Sequence, residues 1–320
     1  MKNLFLDITK YVRTTLLLSV LVFSCSCSND DDGVPFKGAT LPITQGIAEN
    51  VPLIQSIDKE DTYNLHEGIH ITDVSFTYCT KPTRMIIAEI DLNKNVTLAT
   101  STPDNKNSYG TKLQTVADQA IKAEEAGRKV LLAINGDYYG KAQNGSWYTS
   151  GYCYKDGVAI KTTKEDEANH VFYILKDGTA HISLIPEFQL VEDQVTNAVG
   201  GWQCLVEDGK TVGSFSVNDN SMLFHPRTFI GVSKDNKKVF LFVIDGRQAD
   251  YSNGMRLEDM MLLCKGAGCY QALNLDGGGS TTMVRRVENG QSLSFELMNK
   301  PSDNPARAVL NGIQVIEKNN

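Results

Sequence analysis

The chain has 320 residues, 41% of them hydrophobic and 22% charged, with a formal net charge of −7. That length and balance suffice for a sizeable core and argue against broad disorder. The acidic balance, with no basic block and no interleaved aromatic stripe, argues against nucleic acid as a partner and against general attraction to an anionic membrane.

Lys2, Lys10 and Arg13 precede the short apolar run Leu16–Phe23, and small residues follow it. The run is too short for a comfortable membrane span and reads as an export signal over residues 1–24. Val22-Phe23-Ser24-Cys25 resembles a bacterial lipobox, which makes Cys25 the expected lipidation site. Cys27 follows more polar residues and is the second choice. Asn29-Asp30-Asp31-Asp32 resembles the acidic tract of surface-exposed lipoproteins. The expectation is a secreted lipoprotein of a Gram-negative cell envelope, at the outer membrane or cell surface, tethered through its N-terminal lipid. A plain cleaved signal is the alternative. Residues 25–50, rich in Ser, Asp, Gly, Pro and Thr, read as an acidic flexible tether, and residues 51–320 as one domain.

Arg84–Asp91 and Val96–Thr100 are strand-like. Apolar residues at 116, 117, 120, 121 and 123 share one helical face, with Thr115 as N-cap and Gly127 near the end. Lys129–Ile134 reads as a buried strand. Asp-Gly pairs at 156–157, 177–178 and 208–209 suggest antiparallel hairpins. Phe229–Ser233 and Lys238–Ile244 pair around an Asp235-Asn236 turn. Arg256–Cys264 is a second helix, with Gly266 as its expected terminator, and Ala308–Ile316 is a closing central strand. The fold class expected is α+β: a single domain with a large mixed, mostly antiparallel sheet and two main helices. A doubly wound sheet would need more helices between its strands.

Downstream of the signal lie Cys79, Cys153, Cys204, Cys264 and Cys269. An odd count leaves at least one thiol free. Cys264 and Cys269 flank the tight Lys265–Gly268 connection and could pair. No CxxC or HExxH spacing occurs, so no protein-only metal site is expected, and no cofactor.

The most informative stretch is Leu273–Met283. The apolar run Tyr270–Leu275 ends in Asp276, and Gly277, Gly278, Gly279, Ser280, Thr281 and Thr282 follow at once. Glycines let the backbone take left-handed angles and present N–H groups to an anion. A carboxylate beside such a nest makes sense if it must attack, or deprotonate an attacker of, an atom next to the anion. A tight turn with a capping Asp is the alternative. The stretch is not a Walker loop, since it lacks the four-residue gap and the Lys.

Other strand ends carry polar clusters: Asn135 and Asp137, Asp245 and Arg247, Asn274 beside Asp276, Arg227 before the Phe229 strand, and Arg307 before the last strand. Each alone could be a capped turn or a surface ion pair. Together they read as one site of carboxylates, amides and arginines, with Arg suited to phosphate or carboxylate. Trp147, Tyr148 and Tyr152 could stack on a sugar, or could be core.

Ala133–Tyr139, His225–Gly231, Val243–Arg247, Asn274–Ser280 and Arg307…Asn311-Gly312-Ile313, in order over residues 60–317, resemble the successive motifs of the phosphodiester glycosidase family. The resemblance implies a hydrolase, a glycosidase cleaving the C1–O bond of a sugar-1-phosphodiester (GlcNAc-1-phosphodiester-like) and releasing free sugar and a phosphomonoester. Asp276, Asp245 and Asp137 are then the catalytic candidates. Asn135, Arg227, Arg247, Asn274, Gly277, Gly278, Gly279, Ser280, Thr281 and Arg307 are candidates for holding the carbohydrate phosphodiester. Carboxylates about 5 Å apart would favour retention and wider spacing inversion. Two other readings use the same residues: a non-catalytic surface glycan-binding lipoprotein, and a metal-assisted phosphodiesterase with Asp137, Asp245 and Asp276 as oxygen ligands.

Overall fold

The computed structural model describes residues 38–165, 167–213, 222–290 and 292–318. The export segment, Cys25 and the acidic tract lie outside the described residues. The architecture is α+β, and every ladder between the named strands is antiparallel. The strands divide among an eight-stranded sheet, two five-stranded sheets and a two-stranded ribbon, rather than forming one sheet.

The eight-stranded sheet is apolar on both faces, so its central strands are continuous apolar runs. Along Lys238–Ile244, Phe240, Phe242 and Ile244 enter one core while Val239, Leu241 and Val243 enter another. The first core is closed by helices Pro42–Asn50 and Leu257–Gly266. The second is shared with the two five-stranded sheets, through Phe172 and Val199 of one and Leu132, Ile134 and Val315 of the other. The latter sheet carries helix Val116–Glu125 on its outer face, through Val116, Ala120 and Ala123. Thr115 caps that helix by accepting from the Asp118 N–H at 3.1 Å, and Gly127 follows it at φ +87°.

Two expectations about boundaries are corrected. Residues 42–50 are not tether but a helix, with Ile47 and Ala48 buried against the 257–266 helix. Gly46 and Gly266 let the two helices meet backbone to backbone: a Cβ on Gly46 would stand 2.4 Å from the Gly266 carbonyl oxygen. Gly266 is thus a packing residue inside its helix, and Gly268, at φ +87°, ends it. None of the five downstream cysteines is bridged in this structure.

Candidate active site

Asp276 leaves the eight-stranded sheet at the end of Gln271–Asn274, and Met283–Asn289 enters a five-stranded sheet seven residues later. The loop between them is pinned by Asn135, at the end of Val130–Asn135. Its amide donates to the Asp276 carbonyl at 2.6 Å. Its oxygen accepts from the Thr228 hydroxyl at 2.8 Å and the Thr282 N–H at 3.1 Å. Asn135 is fully buried and is a structural tie rather than a ligand-facing group.

Of the loop N–H groups expected to form an open nest, those of Gly278, Ser280 and Thr281 are turned to carbonyls. Gly278 N–H donates to Pro226 C=O at 2.9 Å, and Ser280 and Thr281 donate back to Gly277 and Gly278 in a single 3-10 turn. Those three donors are committed within the protein. What the glycines provide is room. A Cβ on Gly277 would meet the Pro226 carbonyl oxygen at 2.7 Å. One on Gly278, itself at φ +61°, would meet the Arg247 guanidinium at 3.0 Å. One on Gly279 would meet that of Arg307 at 2.2 Å. Two arginines therefore lie flat against the loop.

Around this loop opens a cavity of about 310 Å³, lined by Asp276 and the three glycines, by Arg227, Arg247, Arg307 and His225, and by Tyr138, Trp202, Gln203, Glu167 and Leu257. Its size suits one small ligand head group. Arg227 is buried, its guanidinium held by the carbonyls of Met255 at 3.0 Å and Leu223 at 3.1 Å. Arg247 sits at φ +60°, a left-handed angle uncommon for a residue with a side chain, and lies 3.4 Å from His225 Nδ1. Burial, then the charges of Arg227 and Arg247, lower the His225 pKa, so its imidazole is neutral at pH 7. Arg307 is oriented by Asp303 at 2.8 Å.

The three carboxylates expected to act together are separated by their surroundings. Only Asp276 lines the cavity. Burial raises its pKa to about 6, opposed by the Ser280 hydroxyl, the Arg307 charge and the Gly277 N–H. At neutral pH it is mostly ionised. Asp245 does not face the cavity. Its oxygens accept from Asn299 Nδ2 at 2.9 Å, Lys300 N–H at 3.1 Å, the Tyr251 hydroxyl at 2.9 Å and Arg84 at 3.2 Å. Asn299 also donates to the Thr281 carbonyl at 3.1 Å, so Asp245 braces the loop from behind. Asp137 is enclosed. One oxygen accepts from Gly151 N–H at 2.6 Å, the other has no protein partner, and burial raises its pKa to about 7. With one carboxylate committed and another walled off, the three-carboxylate ligand set of the metal-assisted alternative is not assembled. No group of metal-binding side chains occurs among the described residues.

Asn274 lies beneath the cavity and donates to the Tyr138 hydroxyl and to Gln203 Oε1, each at 2.9 Å. Tyr138 stacks on Trp202, with centroids 4.4 Å apart and planes at 24°. This pair is the aromatic wall. The aromatics picked from sequence are elsewhere: Trp147 packs edge-on to Tyr139, Tyr152 edge-on to Phe188, and Tyr148 lies under the Lys161 ammonium. Trp202 and Gln203 were missed. A signal was present, since Gly200 and Gly201 precede them inside a strand, and strand glycines mark close backbone approach. A Cβ on Gly201 would stand 2.6 Å from the Asn274 carbonyl oxygen.

A sequence profile of the phosphodiester glycosidase family matches residues 128–316, the stretch that supplies every residue lining the cavity. The fold is similar to that of the zebrafish N-acetylglucosamine-1-phosphodiester alpha-N-acetylglucosaminidase catalytic domain auto-inhibited by its pro-peptide, with TM-score 0.58 and 22% identity, over 92% of this chain and 100% of that one. It is also similar to a hypothetical protein from Synechocystis, with TM-score 0.57 and 13% identity, over 82% of this chain and 65% of that one. No curated protein matches the sequence significantly.

Proposed function

Because the chain belongs to the phosphodiester glycosidase family, we propose that it is a hydrolase that cleaves the C1–O bond of a sugar-1-phosphodiester and releases free sugar and a phosphomonoester. The observation that carries this reading is one ionised carboxylate, Asp276, opening into a cavity where three arginines converge beside a stacked aromatic wall. A phosphate monoester is already a stable leaving group, so the reaction needs little help from a general acid. It needs an anion held in place and a carboxylate near C1. Arg227 and Arg247 serve the first need by charge-assisted hydrogen bonds to the phosphate, with neutral His225 beside them. Asp276 serves the second, as nucleophile or as base for water. Its nearness to bound phosphate is tolerable because the Arg247 and Arg307 guanidinium groups pack against the same loop.

Tyr138 and Trp202 offer a face for the sugar ring, and Gln203 and Glu167 offer partners for its hydroxyls and amide. A substrate like a GlcNAc-1-phosphodiester is supported by the likeness in fold to the zebrafish enzyme. The export signal and Cys25 support a lipid-anchored protein at the outer membrane or cell surface, acting on envelope or extracellular carbohydrate.

Hydrolysis of a GlcNAc-1-phosphodiester in ¹⁸O-labelled water tests the reaction. C–O cleavage delivers the label to the sugar. Label on phosphate would overturn the proposal in favour of a phosphodiesterase, and no turnover on any sugar-1-phosphodiester would favour a glycan-binding protein.

A further inference from the structure

The C-terminal end of the Leu257–Gly266 helix closes in a pattern with a fixed side-chain consequence. Gly268 takes the left-handed position at φ +87°. Cys269 N–H then donates to the Cys264 carbonyl at 3.0 Å, and Gly268 N–H to the Lys265 carbonyl at 3.0 Å. This pair of bonds is the Schellman motif. It commonly brings the side chain after the glycine onto that of the last-turn residue whose carbonyl it captures, usually as a contact between two hydrophobes. Here both positions are cysteine. Both side chains are buried in the same apolar core, at 0% and 4% exposure, and burial, then the neighbouring Cys269 thiol, pushes the Cys264 pKa up. Room for the second sulfur is made by the neighbouring strand: a Cβ on Gly231 would stand 2.3 Å from Cys269 Sγ.

We infer that Cys264 and Cys269 are a disulfide-forming pair, oxidised in the exported protein. Each thiol loses a proton, one S–S bond forms, and the two electrons pass to the disulfide of an envelope thiol oxidoreductase, which becomes a dithiol. The export signal read in the sequence would bring the chain to such an oxidant. Burial requires that the bond form before the core closes around the helix end. Once formed, it staples the helix to the start of Gln271–Asn274, the strand that carries Asp276. The other thiols are placed differently. Cys204 donates to the Val206 carbonyl at 3.4 Å, and Cys153 lies beside the Asn311 amide at 3.9 Å.

Trypsin makes the test direct, because Lys265 lies between the two cysteines. The full chain is recovered from the envelope fraction of a Gram-negative host, denatured without reductant, alkylated and digested. The expected result is one mass joining the peptides Leu257–Lys265 and Gly266–Arg285, which separates on reduction. A Cys269→Ala variant is expected to leave Cys264 fully alkylated, and Cys204→Ala to retain the linked mass. Complete alkylation of Cys264 and Cys269 in the wild-type protein, or a bond from either to Cys204, would overturn the inference.

Discussion

Replacing Asp276 by Asn should make the protein more stable and far less active, with the stability gain dependent on pH. The structure raises the Asp276 pKa from 3.8 to about 6. A carboxyl whose folded pKa lies above its unfolded value holds its proton more tightly when folded. Below about pH 4 both states are protonated, and Asp276 costs nothing. As pH rises towards 6 the unfolded state ionises first and stability falls. Above about pH 7 the loss levels at about 3 kcal/mol, from about 1.4 kcal/mol per pH unit. Asn keeps the size and one acceptor for the Gly277 N–H without the buried charge. Urea unfolding from pH 4 to pH 8 should therefore show no gain for Asp276→Asn at pH 4 and a gain of about 2–3 kcal/mol at pH 8. Turnover of a sugar-1-phosphodiester should drop by about 10²-fold or more. The wild-type rate should decline as pH falls through about 6, where Asp276 is protonated. A stability difference independent of pH, or a variant less stable at pH 8, would refute the buried-charge argument. Near-normal turnover would remove Asp276 from the chemistry.

Arg227→Ala and Arg247→Ala should each weaken binding of the phosphomonoester product by about 1.5–3 kcal/mol, read by calorimetry, while an uncharged sugar binds as before. Trp202→Ala should raise KM several-fold with a smaller change in kcat, because the ring face contacts substrate and transition state alike. Tyr251→Phe removes the hydroxyl that bridges Arg84 and Asp245, at 2.6 and 2.9 Å. It should lower stability by about 1–2 kcal/mol and leave KM unchanged, whereas a large loss of kcat in the folded variant would return Asp245 to the chemistry. Metabolic acyl labelling of the full chain should vanish in Cys25→Ser, and persistence there with loss in Cys27→Ser would move the anchor by two residues.

The parts of the site legible in the sequence were those with a local signature. Asp276 and the glycines stand out because consecutive glycines serve no purpose inside a regular element. Arg227, Arg247 and Arg307 were legible because charge at the end of a buried strand needs a reason. The division of labour among the carboxylates was not legible. It depends on Asn299 and Lys300, which reach Asp245 from 54 and 55 positions away, and on the Gly151 N–H beside Asp137. The Pro42–Asn50 helix was hidden by its polar composition, although a proline at a first helical position is itself a start signal. The Tyr138–Trp202 wall joins residues from two loops, one after Val130–Asn135 and one after Val195–Gly201, and periodicity along one strand says nothing about such a meeting.

The Asn135 amide belongs to one sheet and binds residues leaving another, and the cavity draws its walls from all three large sheets. Competence for reaction is therefore a property of the joint. A small rotation of one sheet against its neighbour would swing Tyr138 and Arg307 away from Asp276 while every ladder stayed intact. Warming the protein should then silence it at a temperature where its circular dichroism is still native. Its working range would then be set by how firmly the shared apolar core of Phe172, Val199, Leu132, Ile134 and Val315 holds the sheets in place, rather than by the ladders within each sheet.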